Sequence, residues 1–197
     1  MHEIDLIVIG GSAGALEALL AILPGLPPSH KIPIVVVLHL APNHPSLLPT
    51  VLAHACARPV REIEDKQQLE PAAIYVAPPN YHVLVERIGR LALSVDAPVH
   101  FSRPSIDVLF ESAADALGRA VAGVVLSGAN DDGARGLRRI VDAGGLAAIQ
   151  DPATAAHREM PAAALRWTDA PACSIEQLTR WCSSLPGPTI LREDARS

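Results

Sequence analysis

An α/β fold, three-layered and doubly wound around a mainly parallel sheet with helices on both faces, is what this sequence predicts. Two observations carry the prediction. The chain opens strand, helix, strand, which calls for a parallel pair with a crossover helix. Its later strand candidates are short, unbroken apolar runs without polar alternation, the mark of strands buried on both faces.

The elements follow in order. Leu6-Ile7-Val8-Ile9 is a buried strand running into Gly10-Gly11. Ala15 to Leu23 is rich in Ala and Leu, reads as a helix, and stops at Pro24-Gly25. Ile32 to Leu38 is the second buried strand, and a helix is expected from Pro45 to Ala57. Ala73 to Val76 is a short strand. Tyr81 to Glu86 and Arg90 to Val95, separated by Ile88-Gly89, read as a β-hairpin. Pro104 suits the first position of a helix reaching Leu117. Val121 to Leu126 is a buried strand, Leu137 to Ala143 a helix closed by Gly144-Gly145, and Leu146 to Gln150 a last core strand. Ser174-Ile175-Glu176-Gln177 has capping-box spacing and opens a helix to about Cys182. One domain over residues 1–182 is expected, with 183–197 as a mobile C-terminal tail.

Composition narrows the function. The formal net charge is −5 and no Lys/Arg run could track a phosphate backbone, so nucleic acid is not an expected partner. No apolar stretch reaches the roughly 20 residues of a membrane span, and Met1-His2-Glu3-Ile4-Asp5 lacks a basic leader segment. A cytoplasmic protein without membrane insertion is expected. Three cysteines (Cys56, Cys173, Cys182) without short paired spacing suit reduced thiols, and no four-ligand zinc pattern is visible. No metal or organic cofactor is expected.

In an open parallel sheet, ligands bind beyond the carboxyl ends of the strands. There the sequence places Gly10-Gly11-Ser12-Ala13-Gly14, then His39, then Ser127-Gly128-Ala129-Asn130-Asp131-Asp132-Gly133. The first is G-x-S-x-G, a sharp strand-to-helix turn that exposes a serine hydroxyl and leaves backbone N–H groups free for an oxyanion. It also reads as a packing turn with Ser12 as a helix cap. A dinucleotide fingerprint fits worse, because Ser12 stands where glycine is needed and His39 where an acid should hold ribose. His39 could be an ordinary strand-end residue, but next to a serine it can take and return a proton near neutral pH. Asp131 and Asp132 form an Asp-Gly turn or supply the carboxylate that orients the histidine. The order Ser, His, Asp differs from that of α/β-hydrolases.

These segments resemble the catalytic domain of bacterial chemotaxis protein-glutamate methylesterases. Val76-Ala77-Pro78-Pro79-Asn80-Tyr81-His82, Arg103-Pro104-Ser105-Ile106-Asp107, Gln150-Asp151-Pro152 and Met160-Pro161 extend the resemblance over about residues 4 to 168. It implies a nucleophile at Ser12, a base at His39 and an orienting acid at Asp132 rather than Asp131. The oxyanion site then falls on the backbone of Ala13, Ala129 and Asn130. The chain departs from the family at Ala13, where threonine is usual, and at Ala129-Asn130, where Met-Gly is common. It starts directly at the catalytic strand, so the domain without its receiver domain is expected and phosphorylation within the same chain is not expected to gate it. The implied reaction is hydrolysis of glutamyl methyl esters, with deamidation of glutamine by the same route. The implied partners are the methylated cytoplasmic domain of a chemoreceptor and, as a second candidate, a separate regulatory protein. Two rival readings stay open: a binding protein that keeps the fold without catalysis, and a hydrolase of small esters.

Overall fold

The computed structural model describes residues 2–27, 29–39, 46–87 and 89–188. The chain runs β1 (Leu6–Gly11), α1 (Ala15–Ile22), β2 (Ile34–Leu38), α2 (Leu48–Ala55), β3 (Val60–Glu62), β4 (Ile74–Val76), β5 (His82–Glu86) and β6 (Arg90–Ser94). It continues with α3 (Ile106–Leu117), β7 (Val121–Val125), α4 (Ala134–Asp142), β8 (Leu146–Gln150), α5 (Glu159–Trp167), β9 (Ala172–Cys173) and α6 (Ile175–Ser184). Seven strands form one sheet in the order β3-β4-β2-β1-β7-β8-β9, and every pairing in it is parallel. Strands β5 and β6 form a separate antiparallel hairpin, with His82 opposite Ser94 and Gly89 at φ 64° in its turn.

The unbroken apolar runs have the two-sided burial they predict. Ile7, Ile9, Ile34, Val36, Val124 and Leu126 pack on one face with α1, α2 and α6. Leu6, Val8, Val35, Val37, Val121 and Val125 pack on the other with α3, α4, α5 and the hairpin. Three layers result. β1 is central: the chain builds outward from it through β2, then returns to its other flank at β7. That reversal is the topological switch point, where parallel sheets open a crevice.

Several expectations are sharpened. Helix α3 begins after Ser105, whose extended backbone and side chain, accepting from the Val108 N–H, make it the cap. Pro104 therefore lies before the helix, not at its first position. Helix α4 starts at Ala134, three residues before Leu137, because the Asp-Gly turn leads straight into it. Gly144 closes it at φ 83°. The Ser174/Gln177 capping box is formed in both directions. Strands β3 and β9 and helix α5 carry too short or too mixed a pattern to read: β3 has three residues, β9 two. The part of the expected second helix at Pro45 lies outside the described residues. The expected domain edge at 182 falls inside α6. Leu185 is buried and the Pro186 carbonyl accepts from the Ile4 N–H at 2.9 Å, while residues 189–197 lie outside the described set.

No helix among the described residues is long and apolar enough to cross a membrane. Cys56, Cys173 and Cys182 are free thiols, and burial pushes Cys182 up to about 12, where it is not a nucleophile at neutral pH.

Candidate active site

Register brings Ser12 and His39 together. Gly11 pairs with Leu38 across β1 and β2, and the His39 N–H donates to the Gly11 carbonyl at 3.3 Å. The serine turn needs its glycines. A Cβ on Gly10 would collide with the Ile106 side chain, and one on Gly14, which sits at φ 76°, would press on Ala156 and Ser127. Both positions exclude a larger residue, and Ser12 stays half-exposed between them.

The other flank of β1 anchors the turn to β7. The Ser12 N–H donates to the Ser127 carbonyl at 2.8 Å. Ser127 is fully buried; its hydroxyl donates to the Ala13 carbonyl at 2.7 Å and accepts from the His157 N–H at 2.9 Å. Its own N–H donates to Gln150 Oε1 at 2.9 Å. One serine thus ties the Ser12 turn, the loop before α5 and the end of β8. Below it, Met160 packs against Gly128, where any side chain would collide with the thioether.

His39 Nε2 lies 2.8 Å from Asp132 Oδ2. Asp132 is completely buried and accepts three further hydrogen bonds: Ser105 Oγ and the Asp107 N–H on Oδ1, each at 2.9 Å, and the Ile106 N–H on Oδ2 at 2.8 Å. Two of these donors are the first amides of α3, where the helix dipole favours an anion. Burial pushes the carboxyl up. The His39 ring and the Asp107 and Ile106 amides outweigh it and hold Asp132 below the usual carboxylate range. An ionised carboxylate only accepts, so the proton of this bond sits on His39 Nε2, and in the neutral ring the lone pair is on Nδ1. Among the described residues no hydrogen bond joins Ser12 Oγ to His39.

Asp131 faces away. It is exposed, with His100 Nδ1 at 3.5 Å. Ala13 and Ala129 are exposed and Asn130 half-buried, and no carbonyl among the described residues accepts the Ala13 N–H. The Asn130 side chain accepts from the Asp132 N–H at 3.2 Å, which steadies the acid.

Reading the sequence from left to right overlooks a second buried acid. Asp107, in the first turn of α3, accepts from the Gly133 and Gly136 N–H groups at 3.0 and 2.7 Å. Asp132 therefore holds the start of α3, while Asp107 holds the start of α4. Burial, with the neighbouring Asp132 charge, pushes the Asp107 carboxyl up; its Oδ2 accepts no hydrogen bond but faces His100 Nε2 at 3.5 Å and Arg135 Nε at 3.7 Å. His82 is overlooked as well. Its Nε2 donates to the Ala97 carbonyl at 3.1 Å and its Nδ1 accepts from the Ser105 N–H at 3.1 Å. A Ser-x-Asp directly after a proline was the available signal for a capped helix start.

This chain matches known proteins along most of its length. A family model for CheB methylesterase matches residues 7–180. A Leptospira interrogans protein with the provisional name protein-glutamate methylesterase/protein-glutamine glutaminase is 44% identical over 83% of this chain and 85% of its own length. A protein-glutamate methylesterase/protein-glutamine glutaminase of Anaeromyxobacter dehalogenans is 43% identical over 83% of this chain but 48% of its own. The crystal structure of the Thermotoga maritima CheB methylesterase catalytic domain superposes with a TM-score of 0.86 at 26% identity, covering 92% of this chain and 98% of that one. The chain belongs to the CheB methylesterase family.

Proposed function

We propose that this protein is a serine hydrolase that removes methyl groups from glutamyl methyl esters of chemoreceptors, with Ser12 as nucleophile, His39 as base and Asp132 as the orienting acid. The observation that carries the reading is the 2.8 Å bond from His39 to a wholly buried, low-pKa Asp132 beside the exposed serine turn. His39 Nδ1 takes the Ser12 proton as Oγ attacks the ester carbonyl. The free N–H of Ala13, at the start of α1, and those of Ala129 and Asn130 hold the oxyanion. Methanol leaves with the proton from His39. Water, deprotonated by the same ring, then hydrolyses the acyl-enzyme and restores the serine. A glutamine side chain enters the same cycle with ammonia as leaving group, which accounts for the double name of the relatives.

In this reading the substrate is the cytoplasmic part of a receptor, so the protein acts in the cytoplasm, and a separate regulatory protein is a second candidate partner. The catalytic unit ends with α6, two residues beyond the expected edge at 182. Methanol release from a methylated receptor domain tests the proposal. Ser12→Ala should lose about 10³-fold or more in kcat with an unchanged melting temperature. A Ser12→Ala variant that still releases methanol at the normal rate overturns it. Failure of Ser12 to react with a fluorophosphonate in folded protein favours the non-catalytic reading.

A further inference from the structure

Between β6 and α3 the chain makes an arm whose tip is built at a conformational cost. Val99 and Ser102 exchange both backbone hydrogen bonds, at 3.1 and 2.8 Å, so His100 and Phe101 are the two central residues of a tight hairpin turn. Both have positive φ, 49° and 61°. That is the type I′ pattern, for which Asn and Gly are the suited residues and an aromatic is not. Phe101 is nonetheless placed there, and its side chain is fully exposed at 105%. A bulky apolar residue held in a disfavoured backbone region and given wholly to solvent gains nothing for the fold.

The arm does not float. His82, itself buried, clamps its base by holding Ala97 on one side and Ser105 on the other. Arg103 Nη1 donates to the Val95 and Asp96 carbonyls at 2.8 and 3.0 Å. Ser105 in turn bonds Asp132, so the tip is registered to the acid of the site. Phe101 lines a cavity of about 200 Å³ together with His39, Asn80, Pro98, Ser102, Arg103 and Pro104. Cavities that enclose a whole small ligand measure about 300–1,000 Å³. This one has room for a side chain, and the polypeptide that carries it must lie on the rim.

We propose that Phe101 is the specificity-determining contact for a protein substrate: it seats on the polypeptide flanking the esterified side chain while that side chain enters the cavity beside His39. The inference rests on the proposed esterase activity. Buried aromatic anchors in such contacts commonly dominate affinity, and their loss reads out in KM.

The experiment compares two substrates, a methylated receptor cytoplasmic domain and p-nitrophenyl acetate, across wild type, Phe101→Ala, Phe101→Gly, Phe101→Tyr and Ser12→Ala. Phe101→Ala should raise KM for the receptor about tenfold or more, while its loss of kcat/KM on the small ester should be several-fold smaller than its loss on the receptor. Phe101→Tyr should retain receptor activity. Phe101→Gly should lose it in the same way while raising the melting temperature, because glycine accepts φ 61° without strain. Equal losses on both substrates, or no loss on the receptor, overturn the inference. If Ser12→Ala still cleaves either substrate, the esterase assignment fails instead; a wild type that cleaves only the small ester overturns both.

Discussion

Asp132→Asn is the most informative single substitution, because all four donors that meet this carboxylate are identified. Oδ2 accepts from His39 Nε2 and the Ile106 N–H; Oδ1 accepts from Ser105 Oγ and the Asp107 N–H. An amide presents one oxygen and one NH₂, so either orientation sets the NH₂ against a buried backbone N–H. If the NH₂ takes the Oδ2 place, Ile106 loses its acceptor and His39 must put its proton on Nδ1 to receive the amide. That is the wrong tautomer for taking a proton from Ser12, and an equivalent tautomer error in a serine triad costs about 10⁴-fold in kcat. If the NH₂ takes the Oδ1 place, Asp107 loses its acceptor, Ser105 turns its hydroxyl to accept, and the tautomer survives. Each orientation strands one buried N–H, at a cost of about 1–3 kcal/mol. For a chain of this size that is a fall of about 2–12 °C in melting temperature. Acid unfolding adds a second reading. A carboxyl held below its ordinary value contributes stability that is present above the unfolded pKa near 4 and lost as pH falls through the lower folded value. Wild type should lose this increment below about pH 4, and Asp132→Asn should not. Thermal unfolding against pH, together with ester hydrolysis at neutral pH, checks both. An Asp132→Asn protein with wild-type kcat/KM and an unchanged melting temperature would refute the reasoning.

Two more predictions concern groups away from Ser12. Asp107 carries the opposite sign. Its folded pKa is raised, so its contribution is present below the unfolded pKa and is lost as pH rises through the folded value. Asp107→Asn keeps an oxygen for the Gly133 and Gly136 amides and should flatten the loss that wild type shows as pH rises above the ordinary carboxylate range, seen in denaturant melts at stepped pH. Arg58 is buried at the other end of the sheet, donating to the Ala72 and Ile32 carbonyls and to His30. Arg58→Ala should destabilise by about 2–4 kcal/mol. Its turnover per folded molecule should stay unchanged, measured by ester hydrolysis normalised to folded protein.

How much of this was legible depends on how far each signal travels along the chain. β1, β2 and β7 were readable because short apolar runs of four to six residues, bounded by turn signals, suit strands buried on both faces. β9, with two residues, was not, since only its pairing with β8 makes it a strand. The serine turn announced itself through Gly10 and Gly14, but its reason is tertiary: Gly10 faces Ile106 from a helix nearly a hundred residues later. Asp132 could be preferred to Asp131 only by resemblance. In the fold the distinction is direction, one carboxylate turned onto the start of α3 and the other to solvent. Pro104 was misplaced by two residues because a proline suits both the first helical position and the position before a serine cap. Asp107 and His82 were passed over since their partners, Gly133 and Ala97, are distant or unpatterned in sequence.

The exchange of carboxylates between α3 and α4 explains why the candidate acid is also a structural group. Asp132 stands just before α4 and satisfies the first amides of α3; Asp107 stands in α3 and satisfies those of α4. Each helix start is an array of unpaired donors that needs an anion, and each anion needs donors to remain charged in a dry site. Neither requirement can be met alone at this depth. Together they fix the distance between the two helix starts, and His39 then meets a carboxylate whose orientation three bonds have already decided. A carboxylate held only by His39 could rotate and let the imidazole choose its tautomer. Here the choice is made by the fold before any substrate arrives, which is the condition for a base that must present the same nitrogen in every turnover.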